Sequence, residues 1–223
     1  MIRRPQPARA VVFDLDGTLV DSLPLVLRAI THALEPFGPR PTMEIFAKLG
    51  GPPERFLPGL LENPRDVSTA VERMGDYHAR NQHLIRPFDG VRVVLERLRA
   101  DGTKLAIWTG RDRASGEVLL HDHKLENYFS TVVYGDDLPT HKPDPEGLRE
   151  ILRRLDVPAQ EALMVGDADV DVLGAAACGV DAVLIRHARI IEEAVRGKAW
   201  RTVTSPIEAF ELLFDWAGEG ESA

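Results

Sequence analysis

The sequence contains a single cysteine, Cys178, so no disulfide can form within one chain. Small apolar residues precede it and no neighbouring cation would activate it, which predicts a buried structural thiol rather than a nucleophile. Long apolar runs are also missing, since the first run, 10–13, ends at Asp14 and is too short to cross a membrane. These absences argue against a disulfide-stabilised secreted domain or a membrane protein, and we expect a cytoplasmic location.

Positive charge is scarce as well. The 27 lysines and arginines are outnumbered by 35 aspartates and glutamates, which gives a formal net charge of -8. No basic cluster is dense enough to bind a nucleic-acid backbone, so we expect no nucleic-acid partner. An acidic surface also repels phosphorylated molecules, and a phosphate-binding site in this chain would therefore need a local cation or metal ion.

Five short apolar runs predict a buried parallel sheet. None alternates between apolar and polar residues, which is typical of strands covered by helices on both faces. The runs span 10–13, 104–108, 131–134, 162–165 and 181–185. Helical stripes lie between them: one with Val91, Val94, Leu95 and Leu98 that ends at Gly102, and one with Leu148, Ile151, Leu152 and Leu155 that stops near Pro158. This alternation predicts a doubly wound α/β domain with its ligand site at the carboxyl ends of the strands.

One stretch interrupts the alternation. From 21 to 88 we find helical stripes only: a first with Leu23, Leu27, Ile30 and Leu34 after Ser22 as N-cap, a second near 45–49, and a third over 66–83. We interpret this stretch as an all-helical cap inserted after the first strand. The predicted domains are an α/β core of residues 1–18 and 89–223 and a cap of residues 19–88.

The segment after the first apolar run carries the richest chemistry. Asp14-Leu15-Asp16-Gly17-Thr18 places two carboxylates two residues apart, and Gly17 allows the chain to turn so that both can reach one site. A carboxylate beside a divalent cation can attack phosphorus, and a second carboxyl can donate and accept protons. Alone, the segment is equally compatible with a polar loop whose aspartates cap the following residues.

Three further polar segments follow predicted strands or lie near them. Thr109-Gly110 offers a hydroxyl and an unhindered N–H, groups that hold phosphate oxygens. Lys142 brings a compact positive charge, and Pro143 and Pro145, which follow it, stiffen its approach. Gly166-Asp167 begins a segment with two more acids, Asp169 and Asp171, and such acids at a strand end can hold Mg²⁺, which prefers one or two carboxylates with water and substrate oxygens.

Together these segments resemble a known family. Asp14-x-Asp16-Gly17-Thr18, Thr109, Lys142-Pro143 and Gly166-Asp167-x-x-x-Asp171 are similar to the four signature motifs of haloacid dehalogenase superfamily phosphatases. The resemblance covers nearly the whole chain, and it is greatest to the phosphoglycolate phosphatase-like and β-phosphoglucomutase-like branch with a helical cap. It implies a magnesium-dependent phosphatase that hydrolyses a small-molecule phosphate ester.

The resemblance also implies a role for each residue. Asp14 is the nucleophile that takes the phosphoryl group, and Asp16 protonates the leaving oxygen and later deprotonates water. Thr109 and Gly110, with Gly17 in the first turn, hold the transferring group, while Lys142 screens its charge from Asp14.

The implied cofactor is Mg²⁺. Its implied ligands are the Asp14 carboxylate, the Asp16 backbone carbonyl and Asp167, with Asp171 as an indirect ligand or as the residue that orients Lys142. In the cap, Arg55 and Lys48 would either meet a second anionic group of the substrate or be ordinary surface cations.

Two alternative functions stay open from the sequence. A β-phosphoglucomutase-like phosphotransferase usually carries a cap histidine where this chain has Val26, and tends to have valine where it has Thr18, so hydrolysis is favoured. A non-catalytic module that binds Mg²⁺ and phosphorylated ligands is the second alternative, although every expected group is present. The segment 185–189 lacks the glycine- and tryptophan-bearing turn often seen in phosphoglycolate phosphatases, which weakens any assignment of phosphoglycolate as substrate.

Other signals are weaker. Asp167, Asp169 and Asp171 mimic the start of an EF-hand loop, but Val172 stands at its glycine position and Cys178 at its last acidic position. His121-x-His123 lacks an evident third metal ligand. The sequence contains neither a Gly-x-Gly-x-x-Gly motif nor a Walker lysine loop. Oligomeric state and the identity of the ester are not encoded in any pattern that we recognise.

Overall fold

Every apolar run predicted as a strand forms one. In the computed structural model of the protein, which describes residues 8–38 and 56–218 and side chains up to 214, these runs share one parallel sheet. In chain order the strands are β1 (Ala10–Phe13), β2 (Val20–Asp21), β3 (Arg86–Pro87), β4 (Lys104–Trp108), β5 (Thr131–Val133), β6 (Ala162–Gly166), β7 (Asp181–Ile185) and β8 (Arg201–Val203). The short edge strand β8 was not predicted, because its three residues show neither an apolar run nor alternation.

The strand order explains where a ligand can bind. Six strands follow one another in the order β5-β4-β1-β6-β7-β8, and β2 pairs with β3 in a separate small sheet. Phe13, the last residue of β1, is in register with Ile107 of β4 on one side and Val165 of β6 on the other. The chain winds outward from β1 through β4 to β5, then returns to β6 and winds the other way, which opens a crevice at the carboxyl end of β1.

Helices cover both faces of the sheet, as the apolar runs predicted. Among the described residues the helices are α1 (Leu23–Leu34), α2 (Val67–Asn81), α3 (Val91–Ala100), α4 (Arg113–Asp122), α5 (Glu146–Leu155), α6 (Asp169–Cys178), α7 (Glu193–Arg196) and α8 (Pro206–Gly218). Ala10 and Val12 belong to one buried cluster with residues of α5 and α6, whereas Val11 and Phe13 are fully buried outside it. The predicted fold class, a doubly wound parallel α/β domain, is confirmed.

The predicted helix ends are close to those observed. Helix α3 ends at Ala100, and Gly102 follows with a φ of +77°, a left-handed conformation that favours glycine. Helix α5 ends at Leu155, three residues before Pro158.

The chain divides into two compact units, residues 1–21 with 87–223 and residues 22–86. In the second unit, α1 packs against α2 around a core of its own. The buried members of that core are Ala29, Ile30, Ala33, Leu34, Leu57, Ala70 and Met74, and Val26 and Tyr77 are among the partly buried residues packed against it.

One part of the predicted α1 stripe is wrong. Ser22 occupies the N-cap position but makes no side-chain capping bond, and Leu23 is 53% exposed. The buried side of α1 consists instead of Leu25, Ala29, Ile30, Ala33 and Leu34, because the helix core lies toward its C-terminal half and the first residue projects past it. The second predicted cap helix, near 45–49, lies outside the described residues.

Across the described part of the chain, the search for a helix that is both apolar and long enough to span a bilayer finds none.

Candidate active site

Three neighbouring strand ends bring predicted site residues to one edge of the sheet. Asp14 follows β1, Thr109 follows β4, and Asp167 follows β6. The pairing continues just past the strands, since Asp14 N donates to Val165 O over 2.8 Å and Thr109 N donates to Val133 O over 3.0 Å. The three side chains therefore start from fixed backbone positions around the crevice.

An ammonium group lies between two buried carboxylates at this edge. Lys142 comes from the loop between β5 and α5, and its Nζ donates to Asp14 Oδ1 over 2.7 Å and to Asp171 Oδ1 over 2.6 Å. Although burial lowers the pKa of Lys142, the charges of both aspartates raise it, and the net shift is above its ordinary value. Lys142 is therefore a fixed positive charge beside Asp14.

An aromatic ring packs against this ammonium group. The Trp108 ring centroid lies 4.9 Å from Lys142 Nζ, within the range of a cation–π contact. Trp108 is itself buried, and a side chain at either Gly147 of α5 or Gly174 of α6 would overlap its ring. The two helices thus leave space at these glycines for the indole, which limits where Lys142 can move.

Asp171 is held from two sides. Its Oδ1 accepts from Lys142, while its Oδ2 accepts the Ala168 N–H over 2.9 Å at the start of α6. The side chain is 1% exposed. The sequence left two roles open for Asp171, an indirect metal ligand or the residue that orients Lys142. The geometry favours the second role, because both carboxylate oxygens of Asp171 already have partners.

The turn after β1 needs glycine at one position. Gly17 has a φ of +79°, and its N–H donates to Val20 O over 2.8 Å, which closes the turn. A Cβ atom at Gly17 would overlap the Asp167 carboxylate. The absence of a side chain therefore lets the first acidic turn approach the second, and the two predicted metal-binding segments meet at this point.

Asp16 has a partner that the sequence did not reveal. The guanidinium of Arg111 binds its carboxylate at two points, with Nε to Oδ2 at 2.9 Å and Nη2 to Oδ1 at 2.5 Å. The Arg111 side chain is only 6% exposed. The pair thus brings a second buried cation to the site beside Lys142. The only available signal was the position of Arg111, two residues after Thr109 in the same turn.

Thr109 and Gly110 present the groups expected of a phosphate-binding turn. Thr109 is buried, and its Oγ1 accepts the Arg111 N–H over 3.1 Å, which leaves the hydroxyl hydrogen available for donation. Within 8–38 and 56–218, no acceptor is found for the Gly110 N–H, and a Cβ there would meet no atom within 4 Å. The space beside the Gly110 backbone, where a side chain would stand, is therefore open.

The carboxylates form the one metal-like cluster found among the described residues. One oxygen from each of Asp14, Asp167 and Asp171 lies within 4.8 Å of the others. Burial raises the pKa of Asp14 to about 7, with Lys142 opposing the shift and Asp171 adding to it. Burial and the neighbouring charges of Asp14 and Asp171 likewise raise the pKa of Asp167 well above its usual range. Hard oxygen donors that repel one another in this way fit a divalent cation such as Mg²⁺.

The other sequence candidates lie either outside the described residues or outside this cluster. Lys48 and Arg55 lie outside the described residues. His121 lies 3.5 Å from Glu126 and is 79% exposed, and it belongs to no metal-like cluster in the described ranges. Cys178 is half-buried rather than fully buried, and burial raises the pKa of its thiol, in keeping with an unreactive residue.

Comparison with known proteins identifies the family. Residues 11–185 match the family model described as haloacid dehalogenase-like hydrolase. The chain belongs to this family, and the predictions of a hydrolase of this superfamily and of the phosphatase class are confirmed.

Individual relatives agree with that assignment. The chain is 37% identical over 191 residues to a phosphoglycolate phosphatase of Cupriavidus necator, a match that covers 81% of this chain and 82% of that protein. It is 30% identical to the pyrophosphatase PpaX of Halalkalibacterium halodurans, covering 83% and 87%. A solved structure from Thermotoga maritima, described as a candidate beta-phosphoglucomutase, superposes with a TM-score of 0.77 at 28% identity, covering 92% and 98%.

The raised pKa of Asp14 generates a prediction for the metal-free protein. Between about pH 4 and 7 Asp14 binds its proton more tightly in the folded state than in the unfolded state, so its contribution to the free energy of unfolding should fall as pH rises. Mg²⁺ competes with these protons, and its stabilising effect should therefore grow over the same range. The shift in unfolding midpoint caused by a fixed Mg²⁺ concentration, measured from about pH 5 to 8, checks this. Asp14→Asn should flatten the dependence of this shift on pH. An equal shift at about pH 5 and pH 8 in the wild type would contradict the assignment of Asp14 to the Mg²⁺ site.

Proposed function

We propose that this chain is a magnesium-dependent phosphatase that hydrolyses a small-molecule phosphate monoester through an aspartyl phosphate on Asp14. The observation that carries the proposal is the contact of Lys142 with both Asp14 and Asp171, beside Asp167 and at the carboxyl end of β1. This arrangement holds a nucleophilic carboxylate next to a fixed cation and a cluster suited to a divalent ion, which is what phosphoryl transfer requires.

The first half-reaction uses five residues of this site. An Asp14 carboxylate oxygen attacks phosphorus, and the bond from phosphorus to the ester oxygen breaks. Thr109 and Gly110 donate hydrogen bonds to the transferring group, while Lys142 offsets its charge. Asp16 protonates the leaving oxygen, for which its carboxylate must leave the contact with Arg111 seen here.

The second half-reaction returns the enzyme to its starting state. Asp16 removes a proton from water, the water attacks phosphorus, and the bond from phosphorus to Asp14 breaks to release inorganic phosphate. A divalent ion held by Asp14, the Asp16 carbonyl and Asp167 would offset negative charge on the phosphoryl oxygens. Asp171 keeps Lys142 in place throughout.

The predicted domains have separate roles in this proposal. The α/β core of residues 1–18 and 89–223 carries the chemistry, and the cap of residues 19–88 selects the ester. The compact unit of residues 22–86, with its own helical core, supports a separate cap. A cytoplasmic location also belongs to the proposal, supported by the single cysteine in the sequence.

Two alternatives have some support. The resemblance to the Thermotoga maritima structure favours a mutase, and the same metal-binding and phosphate-binding groups would also serve a non-catalytic binding module. Against the mutase, Val26 is apolar and packs against the core of the second unit. A non-catalytic binding module would have no use for a nucleophile, an acid/base residue and a fixed lysine, and this chain has all three.

The nucleophile can be tested by Asp14→Asn, which keeps the shape of the side chain but removes the attacking charge. Hydrolysis of phosphate esters should fall at least about 100-fold, and no acid-stable phosphoryl adduct should be trapped on the chain. Asp181→Asn is the control, since it removes an exposed acid at the other end of β7 and should leave the rate unchanged. An Asp14→Asn variant that is folded and keeps more than a few per cent of activity would exclude Asp14 as nucleophile.

The metal can be tested by chelation. EDTA should abolish activity, Mg²⁺ should restore it, and Ca²⁺ should restore little because its larger shell misplaces the oxygens. Asp167→Asn should raise the Mg²⁺ concentration needed for half-maximal rate, whereas Asp171→Asn should lower kcat with a smaller change in that concentration, because Asp171 holds Lys142. Full activity in excess chelator would contradict the magnesium proposal.

The choice between hydrolase and mutase can be tested with labelled water. If water is the acceptor, an ester incubated in ¹⁸O-water gives inorganic phosphate with one solvent oxygen, and no sugar bisphosphate is needed. A panel of esters and pyrophosphate measured in the same way ranks the substrates. Faster conversion of β-glucose 1-phosphate to the 6-phosphate than hydrolysis of any ester would favour the mutase.

A further inference from the structure

The loop that follows β7 contacts both acidic turns of the site. His187 Nε2 lies 2.7 Å from Gly17 O in the turn after β1. Two residues later, the Arg189 guanidinium donates to Asp167 O in the turn after β6 and lies 3.7 Å from Asp169 Oδ1. We call residues 186–189 the β7 loop. It lies within the segment 185–189, which lacks the glycine- and tryptophan-bearing turn often seen in phosphoglycolate phosphatases.

The backbone conformation and the ring packing of His187 both hold it in contact with the Gly17 carbonyl. Its φ is +49°, in the left-handed region that L side chains rarely adopt. The imidazole stacks on Phe88, with ring centroids 6.0 Å apart. Because the Gly17 carbonyl can only accept a hydrogen bond, the contact requires a proton on Nε2. The β7 loop thus adopts an unfavoured backbone conformation that places one N–H on the first acidic turn.

The two turns that the loop contacts must remain in register with each other. They follow separate strands, β1 and β6, and Gly17 lies directly against the Asp167 carboxylate with no room for a side chain. A small outward movement of either turn would change the separation of the Asp14 and Asp167 oxygens. Metal binding is sensitive to such displacements, and groups that hold ligands in place influence metal affinity strongly.

We propose that His187 and Arg189 are positioning residues that clamp the two acidic turns together and so set the affinity of the site for Mg²⁺. The inference rests on the proposed function, since it concerns the same metal site. Neither residue is assigned as a ligand or as a group that touches the substrate. They act through the Gly17 carbonyl and the Asp167 backbone.

Charge and position make opposite predictions for Arg189. If only its charge mattered, removal of a cation near Asp167 would strengthen Mg²⁺ binding, because less repulsion would oppose the ion. If Arg189 positions the turn, its removal should weaken binding despite the lost repulsion. Arg189→Met keeps much of the apolar stem and removes the guanidinium, so the sign of the change distinguishes the two explanations.

The experiment measures Mg²⁺ binding by calorimetry on the full chain, with no substrate present. We expect His187→Leu and Arg189→Met each to weaken binding, by about tenfold, which is the lower end of the effects known for residues that orient metal ligands. His187→Gln keeps a donor N–H at the position of Nε2 and should bind close to wild type. Equal affinities for the wild type and His187→Leu, or tighter binding by Arg189→Met, would overturn the clamp.

A second measurement separates this inference from the proposed function. Hydrogen exchange of the segment 14–20 in the metal-free protein should be faster in His187→Leu than in His187→Gln, because the Gly17 turn loses its tether. If the wild type binds no Mg²⁺, the magnesium dependence in the proposed function is wrong. If exchange is equally fast in His187→Leu and His187→Gln, the clamp is wrong and the proposed function is unaffected. Circular dichroism and thermal unfolding of each variant confirm that the comparison is made between folded proteins.

Discussion

Carboxylates that share a buried site are stable together only if cations lie among them, and this constraint organises the active-site edge of the sheet. Asp14, Asp167 and Asp171 bring oxygens within 4.8 Å of one another, and Lys142 bridges two of them. With the pair of Asp16 and Arg111 and the pair of Asp169 and Arg189 included, five carboxylates and three cationic side chains lie at this edge. Two formal negative charges remain, and the two positive charges of one Mg²⁺ would neutralise them. The ion that we propose thus matches both the oxygen chemistry and the charge of the site.

Much of the surrounding core serves to keep Lys142 in that position. A lysine side chain is long and flexible, and a fixed ammonium needs surfaces on several sides. Asp14 and Asp171 supply two of them, and the Trp108 ring supplies a third. Trp108 in turn fits only because Gly147 and Gly174 leave its space open in α5 and α6. The packing of α5 and α6 therefore fixes the Trp108 ring, and the ring in turn helps to fix the positive charge beside the proposed nucleophile.

The sequence predicted five strands of the main sheet and the ends that carry the site, but not the short strands β2, β3 and β8 or the contacts between distant turns. The strands β1, β4, β6 and β7 were predictable because each is a continuous apolar run, and the acidic and Thr-Gly segments were placed by the strand that precedes them. The pair of Arg111 and Asp16 joins residues 95 positions apart, and the contact of His187 with Gly17 joins residues 170 positions apart. Such contacts depend on how loops pack after the sheet has formed, and no local pattern encodes them. The error at Leu23 has a similar origin, since helical spacing alone does not tell where a helix core begins.

The described core suits the proposed phosphoryl transfer equally well for many esters. Thr109, Gly110 and Lys142 are suited to the phosphoryl group, which phosphoglycolate, pyrophosphate and sugar phosphates all share. Relatives named for different substrates resemble this chain over most of its length, so the common fold does not distinguish between them. Discrimination must then come from groups that contact the rest of the molecule. Val26 is partly buried against the core of the second unit and has no polar group, so recognition of a sugar hydroxyl would need some other residue. A substrate that is mostly its own phosphate group needs the fewest such contacts, which is the physical reason to place small anionic esters and pyrophosphate before sugar phosphates in any search.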